Sequence, residues 1–330
     1  MMEWNVGCAA VAGGRHREAG MPCQDRVWTE TYDGVTAAAL ADGAGSAPCS
    51  EYGAQAAVRA VCAYMTQHFD EMISNPNGAA VGRGLLDAVL AALEQKAEEL
   101  ETALSDLACT LAAVGIKNGR ALLLHIGDGV IGYTNAFDGS VKVLSRPDNG
   151  KYRTQTTFVT SPRAYEKMRL YRCSAEKIGS FILMSDGSAE SLYQRQDDRL
   201  SGVLDSLTLL TSVEAPAQMS GFLGEYLQEQ VFPRTDDDCS LLIAARRMTD
   251  AQCLGMTPVR QCALYGTDCP IAGRRMTAVL KLCADRPRTV NELCRLTHVR
   301  REAVRRRLER LMACGVLTCR QGRYFPPLAG

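Results

Sequence analysis

Short apolar runs, each stopped by Gly, Asp or Ser, recur along the first three-quarters of the chain. Val35–Leu40, Ala121–Ile126, Phe181–Met184 and Ser240–Ala244 are of this kind, and such runs predict buried strands. Between them lie stretches with helical spacing. Gly53–Phe69 sets Ala56, Ala57, Ala60, Val61 and Tyr64 on one face, and Leu85–Leu104 is rich in the strong helix formers Ala, Leu, Glu and Gln. Strands and helices do not alternate in a βαβ rhythm. The pattern therefore predicts a layered α+β sandwich, not a doubly wound parallel sheet.

Past residue 248 the pattern changes. Residues 249–272 hold Gly255, Pro258, Gly266, Pro270 and three cysteines with no periodicity, and read as a linker or a small cap. From 273 to 330 short helices follow. Met276–Ala284 is the first. Thr289 with Glu292 three positions on forms a capping box for Val290–Leu296. Arg300–Cys314 is the third, closed by Gly315. Val316–Cys319 and Arg323–Phe325 then flank Gln321-Gly322, a tight-turn signal. Three helices and a hairpin resemble a winged helix-turn-helix.

The composition, 46% hydrophobic and 22% charged, is that of a soluble globular protein. No apolar run approaches the roughly 18–20 residues of a membrane span, so no membrane partner is expected. Met1-Met2-Glu3-Trp4-Asn5 lacks the basic stretch and apolar core of a secretory signal, which points to the cytoplasm. None of the 14 cysteines forms a CxxC pair, and Cys253, Cys262 and Cys269 are spaced unlike common zinc ribbons. The net charge of zero conceals an asymmetry. Residues 273–330 hold 14 Arg or Lys against 4 Asp or Glu, leaving 23 against 33 in the rest. Arg300, Arg301, Arg305, Arg306, Arg307 and Arg310 lie on the third helix, and Arg320 and Arg323 on the hairpin. The basic tail suits DNA or an acidic protein surface, including that of the acidic body.

Aspartates mark the ends of the predicted strands: Ala41-Asp42-Gly43, Gly127-Asp128-Gly129, Ser185-Asp186-Gly187 and Asp236-Asp237-Asp238, with Gln24-Asp25 nearer the N-terminus. One Asp-Gly is usually a turn. Several, each attached to a strand, can meet at one sheet edge, where they repel unless a cation compensates. With only four histidines and no HExxH, GxSxG or GxxxxGK[ST] motif, the donors suit Mg²⁺ or Mn²⁺ rather than zinc.

The order and spacing then become specific. Gly13–Asp25 with its Gln24-Asp25, Ala41–Ser46 followed by Ser50–Ala54, Thr110-Leu111, His125–Gly129, Met184–Gly187 and Asp237–Ser240 together resemble the bacterial branch of the type 2C, or PPM-type, metal-dependent protein serine/threonine phosphatases. The resemblance covers roughly residues 5–245. It implies a four-layer αββα sandwich, two antiparallel sheets flanked by helices, with two Mn²⁺ or Mg²⁺ ions at one end. It further implies that Asp42 bridges both ions, that the Gly43 carbonyl ligates one, and that Asp186 and Asp237 hold one. Asp25 falls on the other ion's side and Asp128 beside a weaker third. A phosphorylated protein, a partner kinase or that kinase's targets would be the partners in signalling.

Two departures stand out. Ala44 occupies the place where many members have a His proposed to protonate the leaving group. Gly20 occupies that of a phosphate-binding Arg, leaving Arg17, with Arg15 or His16 as rivals, to reach the phosphate. Loss of a general acid costs about 10²–10⁴-fold with a poor leaving group. A catalytically weak phosphoprotein-binding scaffold and a DNA-binding regulator therefore stand as the alternatives.

Overall fold

The computed structural model describes residues 3–148, 156–248, 250–267, 269–314 and 316–326. It divides into two compact units, Met1–Thr208 with Pro216–Arg246, and Leu209–Ala215 with Arg247–Gly330.

The first unit begins with β1 (Trp4–Val11), α1 (Gly14–Ala19), β2 (Arg26–Tyr32), β3 (Val35–Ala41), α2 (Ser50–Ser74) and α3 (Gly78–Glu99). There follow β4 (Leu111–Lys117), β5 (Arg120–Ile126), β6 (Val130–Asn135), β7 (Val141–Ser145), α4 (Ala164–Lys167), β8 (Arg169–Ser174) and β9 (Ile178–Met184). After α5 (Asp186–Leu192) come the two-residue strands β10 (Tyr193–Gln194) and β11 (Arg199–Leu200), α6 (Val203–Val213), α7 (Pro216–Tyr226) and β12 (Cys239–Arg246). One sheet runs β1-β12-β9-β6-β7 and the other β2-β3-β4-β5-β8, and every pairing in both is antiparallel. The two antiparallel sheets flanked by helices are the α+β sandwich expected from the sequence.

Strand β3 shows why the runs are nearly all apolar. Its Ala37, Ala39 and Ala41 pack with Ala57, Val61 and Met65 of α2, whereas Ala38 and Leu40 face Phe181, Leu183 and Leu242 of the other sheet. With both faces buried, polar alternation disappears. Small side chains let the layers approach. A Cβ on Gly7 of β1 would come within 2.5 Å of Met219 on α7. Across the first sheet's outer side, Thr134, Ser180 and Thr208 hydroxyls form a chain at 3.0 and 2.9 Å, satisfying polar groups in a dry setting.

The second unit contains α8 (Asp250–Gly255), α9 (Pro258–Leu264), α10 (Pro270–Asp285), α11 (Val290–Thr297), α12 (Arg301–Ala313), β13 (Thr318–Arg320) and β14 (Arg323–Phe325). The stretch expected to be a linker or a small cap carries α8 and α9. Its prolines start helices instead of breaking them: Pro258 and Pro270 occupy the first helical turns, where a missing N–H costs nothing. The Thr257 side chain accepts from the Arg260 N–H, and Cys253, Leu264 and Tyr265 are buried among Val279, Leu280, Leu308 and Leu311. The capping box at Thr289 and Glu292 is formed. Gly315, read as the stop of the third helix, lies outside the described residues. Among the described residues, no helix is long and apolar enough to cross a membrane.

Candidate metal centre

The aspartates meet at one end of the sandwich because each sits where a strand begins or ends. Asp42 follows β3 and Asp128 lies in the turn between β5 and β6. Asp186 opens α5 directly after β9, and Asp237 precedes β12. Carboxylate oxygens of Asp42, Asp128 and Asp186 all lie within 4.8 Å of one another. Asp25 and Asp237 lie outside that group, yet both act on Asp42 electrostatically. Asp25 is buried, Asp42, Asp128 and Asp186 are partly exposed, and Asp237 is exposed.

Close main-chain contacts fix these positions. A Cβ on Gly187 would lie 2.2 Å from the Asp238 carbonyl oxygen, and one on Gly13 would lie 2.4 Å from the Asp237 carbonyl carbon. Only glycine permits those approaches. Thr110 clamps Asp42 from the neighbouring strand: its hydroxyl accepts the Asp42 N–H at 3.0 Å, and its own N–H donates to the Asp42 carbonyl at 2.8 Å. The Thr156 hydroxyl donates to Asp128. Asp238 ties both ends of the unit together. Its Oδ1 accepts from the Gly13 N–H at 2.6 Å and lies 2.8 Å from His16 Nδ1, while its Oδ2 accepts from the Gln24 N–H at 2.5 Å.

Burial and mutual repulsion act on the carboxyls together. Burial pushes Asp25 up to about 7; the Ser240 and Ser185 hydroxyls relieve part of this, and Asp238 and Asp186 add to it. Asp42 is held well above the ordinary range by burial, then by Asp25, Asp186, Asp128 and Asp237. Asp186 is pushed up to about 6 by burial, then by Asp128 and Asp237. Asp237 is raised chiefly by burial. At 4.8 Å and an effective dielectric near 20, each pair of ionised groups costs about 3 kcal/mol. Among the described residues, none of these five aspartates pairs with Lys or Arg, and neither oxygen of Asp25 finds a hydrogen bond of ordinary geometry. An all-oxygen set of this kind, partly buried and without a basic partner, fits hard divalent cations.

A profile of the protein phosphatase 2C family matches residues 12–228. The chain belongs to that family. The phosphatase is 26% identical over 255 residues to serine/threonine-protein phosphatase 3 of Escherichia coli (strain K12), across 74% of this chain and 98% of that protein. Among solved structures it resembles serine/threonine phosphatase Stp1 from Staphylococcus aureus, with a TM-score of 0.50 and 13% identity over 74% of this chain and 95% of the other. It also resembles the catalytic domain of the serine/threonine protein phosphatase PstP, solved in complex with two manganese ions. There the TM-score is 0.51 and the identity 17%, over 75% and 100% of the two chains.

The remaining expected residues of the phosphatase fall around this centre. The Arg17 guanidinium lies over the Phe232 ring at 4.4 Å, and His16 is held by Asp238. Arg15 lines a hollow of about 650 Å³ with Arg234, Glu18, Glu190 and Asp237. Ala44 is 5% exposed and packs with Ala47, Ala108 and Phe158. Gly43 bridges to Cys109, and its N–H donates to the Gln24 carbonyl at 3.3 Å. Sequence reasoning included Thr110 in a motif without giving it a task, and did not single out Thr156. A hydroxyl next to a strand carries no signal until the strand it clamps is known.

Proposed function

We propose that the first unit hydrolyses phosphoserine and phosphothreonine monoesters in proteins, reversing the action of a partner kinase in signalling. In this reading Asp25, Asp42, Gly43, Asp186 and Asp237 hold two Mn²⁺ or Mg²⁺ ions, and Asp128 a weaker third. The observation that carries the reading is the meeting of Asp42, Asp128 and Asp186 within 4.8 Å at one end of two sheets. Asp42 stands at the centre of this repulsion, which supports a bridging role for it. When bound, the ions supply a water acidic enough to ionise near neutral pH and positive charge for the phosphoryl oxygens.

The chain's own groups do the rest. Thr110 and Asp238 hold the loops that carry Asp42 and Asp25. With Arg17 stacked on Phe232, Arg15 takes the role of phosphate clamp, since it borders the hollow beside Asp237. The Ala44 methyl has no proton to donate, and it packs with Ala47, Ala108 and Phe158. That same feature favours the second reading, a phosphoprotein binder with weak turnover.

Turnover of p-nitrophenyl phosphate and of a phosphothreonine peptide, with Mn²⁺ and with a chelator, tests the proposal. Mn²⁺-dependent release from both esters, lost in Asp42→Asn, is the expected result. Mn²⁺-dependent release from the aryl ester alone supports the weak binder. Absence of release from either ester overturns the hydrolase.

A further inference from the structure

The second unit carries a basic surface that the phosphatase reaction does not use. Helices α11 and α12 are joined by three residues, with His298 in the left-handed region at φ 54° and Arg300 as the N-cap of α12. That is the spacing of a helix-turn-helix. One side of α12 is fixed inward, where Val304, Leu308 and Leu311 are buried with Val279, Leu280 and Leu293. Its outer side presents Arg301, Arg305 and Arg306, all exposed. Among the described residues none of these three makes an ion pair. The hairpin beyond it turns on Gln321 and Gly322, both at positive φ, with Arg320 before the turn and Arg323 after it. Arg288 and Tyr324 exchange main-chain hydrogen bonds at 3.0 and 2.8 Å, which adds a third short edge to the hairpin and holds it in place.

We infer that this face binds duplex DNA, with the first turns of α12 in the major groove and the β13–β14 turn over the adjoining backbone. A helix of 13 residues is about 20 Å long, and a major groove about 12 Å wide admits it. Of the 14 basic residues after 272, 13 are Arg, whose planar fork suits phosphates and guanine edges. The chemistry also separates DNA from an acidic protein. Protein interfaces have an apolar centre, and among the described residues no large apolar side chain is exposed on α12 or the hairpin.

Anisotropy of a labelled 24-base-pair random duplex, titrated with the full chain from 50 to 200 mM NaCl, tests the inference. Binding is expected with Kd about 10⁻⁴–10⁻⁶ M near physiological salt, weakening steeply as salt rises. The double variant R301A/R305A should weaken binding about tenfold or more and reduce the log–log salt slope by about 2, since each phosphate contact contributes about 0.9. Arg163→Ala, in the first unit, should bind within twofold of the parent. Circular dichroism confirms that all three proteins fold. Three results would overturn the inference: no binding at 50 mM salt, unchanged binding by the double variant, or polyglutamate of equal charge displacing the duplex as well as DNA does.

Discussion

Asp25 couples the metal centre to pH. It is 1% exposed, and burial pushes its carboxyl from an ordinary 3.8 to about 7. Without metal, the folded chain therefore keeps a proton that the unfolded chain has released by pH 5. Folding is favoured by this group below pH 4 and loses that advantage as pH rises toward 7, at about 1.4 kcal/mol per unit. Between pH 5 and 7 the loss is about 2 kcal/mol, on the order of 4–8 °C in Tm for a unit of this size. Asp186, pushed up to about 6, acts in the same direction. Thermal unfolding of chelator-treated protein at pH 5, 6 and 7, beside Asp25→Asn, isolates the effect because Asn cannot ionise. The Tm of the parent should fall relative to the variant across that range, and Mn²⁺ should restore the parent at pH 7 far more than the variant. Parallel Tm curves for the two proteins, or a parent that gains on the variant as pH rises, would refute the reasoning.

Removing the Thr110 hydroxyl in Thr110→Val leaves the Asp42 N–H unpaired, and should weaken Mn²⁺ binding about 10–100-fold by calorimetry. Asp238→Ala strands the Gly13 and Gln24 N–H groups and should cost about 2–5 kcal/mol in urea unfolding, with Asp238→Asn recovering part because its carbonyl still accepts. The parent should hydrolyse p-nitrophenyl phosphate about 10²–10⁴-fold faster than a phosphothreonine peptide, because nitrophenolate leaves without a proton. Ala44→His should narrow that ratio, and an unchanged ratio would show that position 44 does not reach the leaving group.

The meeting of Asp42, Asp128 and Asp186 was legible because all three sit at strand ends marked by Asp-Gly, and the order of these marks along the chain is specific. The strands β1 and β2 carried a weaker apolar signal: Gly7, Ala9 and Ala10 dilute that of one, and Thr29, Glu30 and Thr31 interrupt the other, although Asp33-Gly34 marks its end. Where Arg17 and His16 point could not be read, since their partners Phe232 and Asp238 lie more than 200 residues away. At 249–272 composition did not show the helices, because Pro258 and Pro270 resemble linker residues but stand at helix starts. The boundary within α6 had no signal either. Leu209 belongs to the second unit although Leu204 and Leu207, five and two residues earlier, belong to the first.

The pairing of β1 with β12, locked by the Asp238 carboxylate, has a bearing on biosynthesis. The first strand of this unit must wait for its last, some 230 residues later, before its register from Trp4↔Arg246 to Val11↔Cys239 can form. Until then α2, α3 and the hairpins of the other sheet can assemble from neighbouring segments. Asp237 can join Asp42, Asp128 and Asp186 only after that pairing, so the full set of carboxylates assembles late.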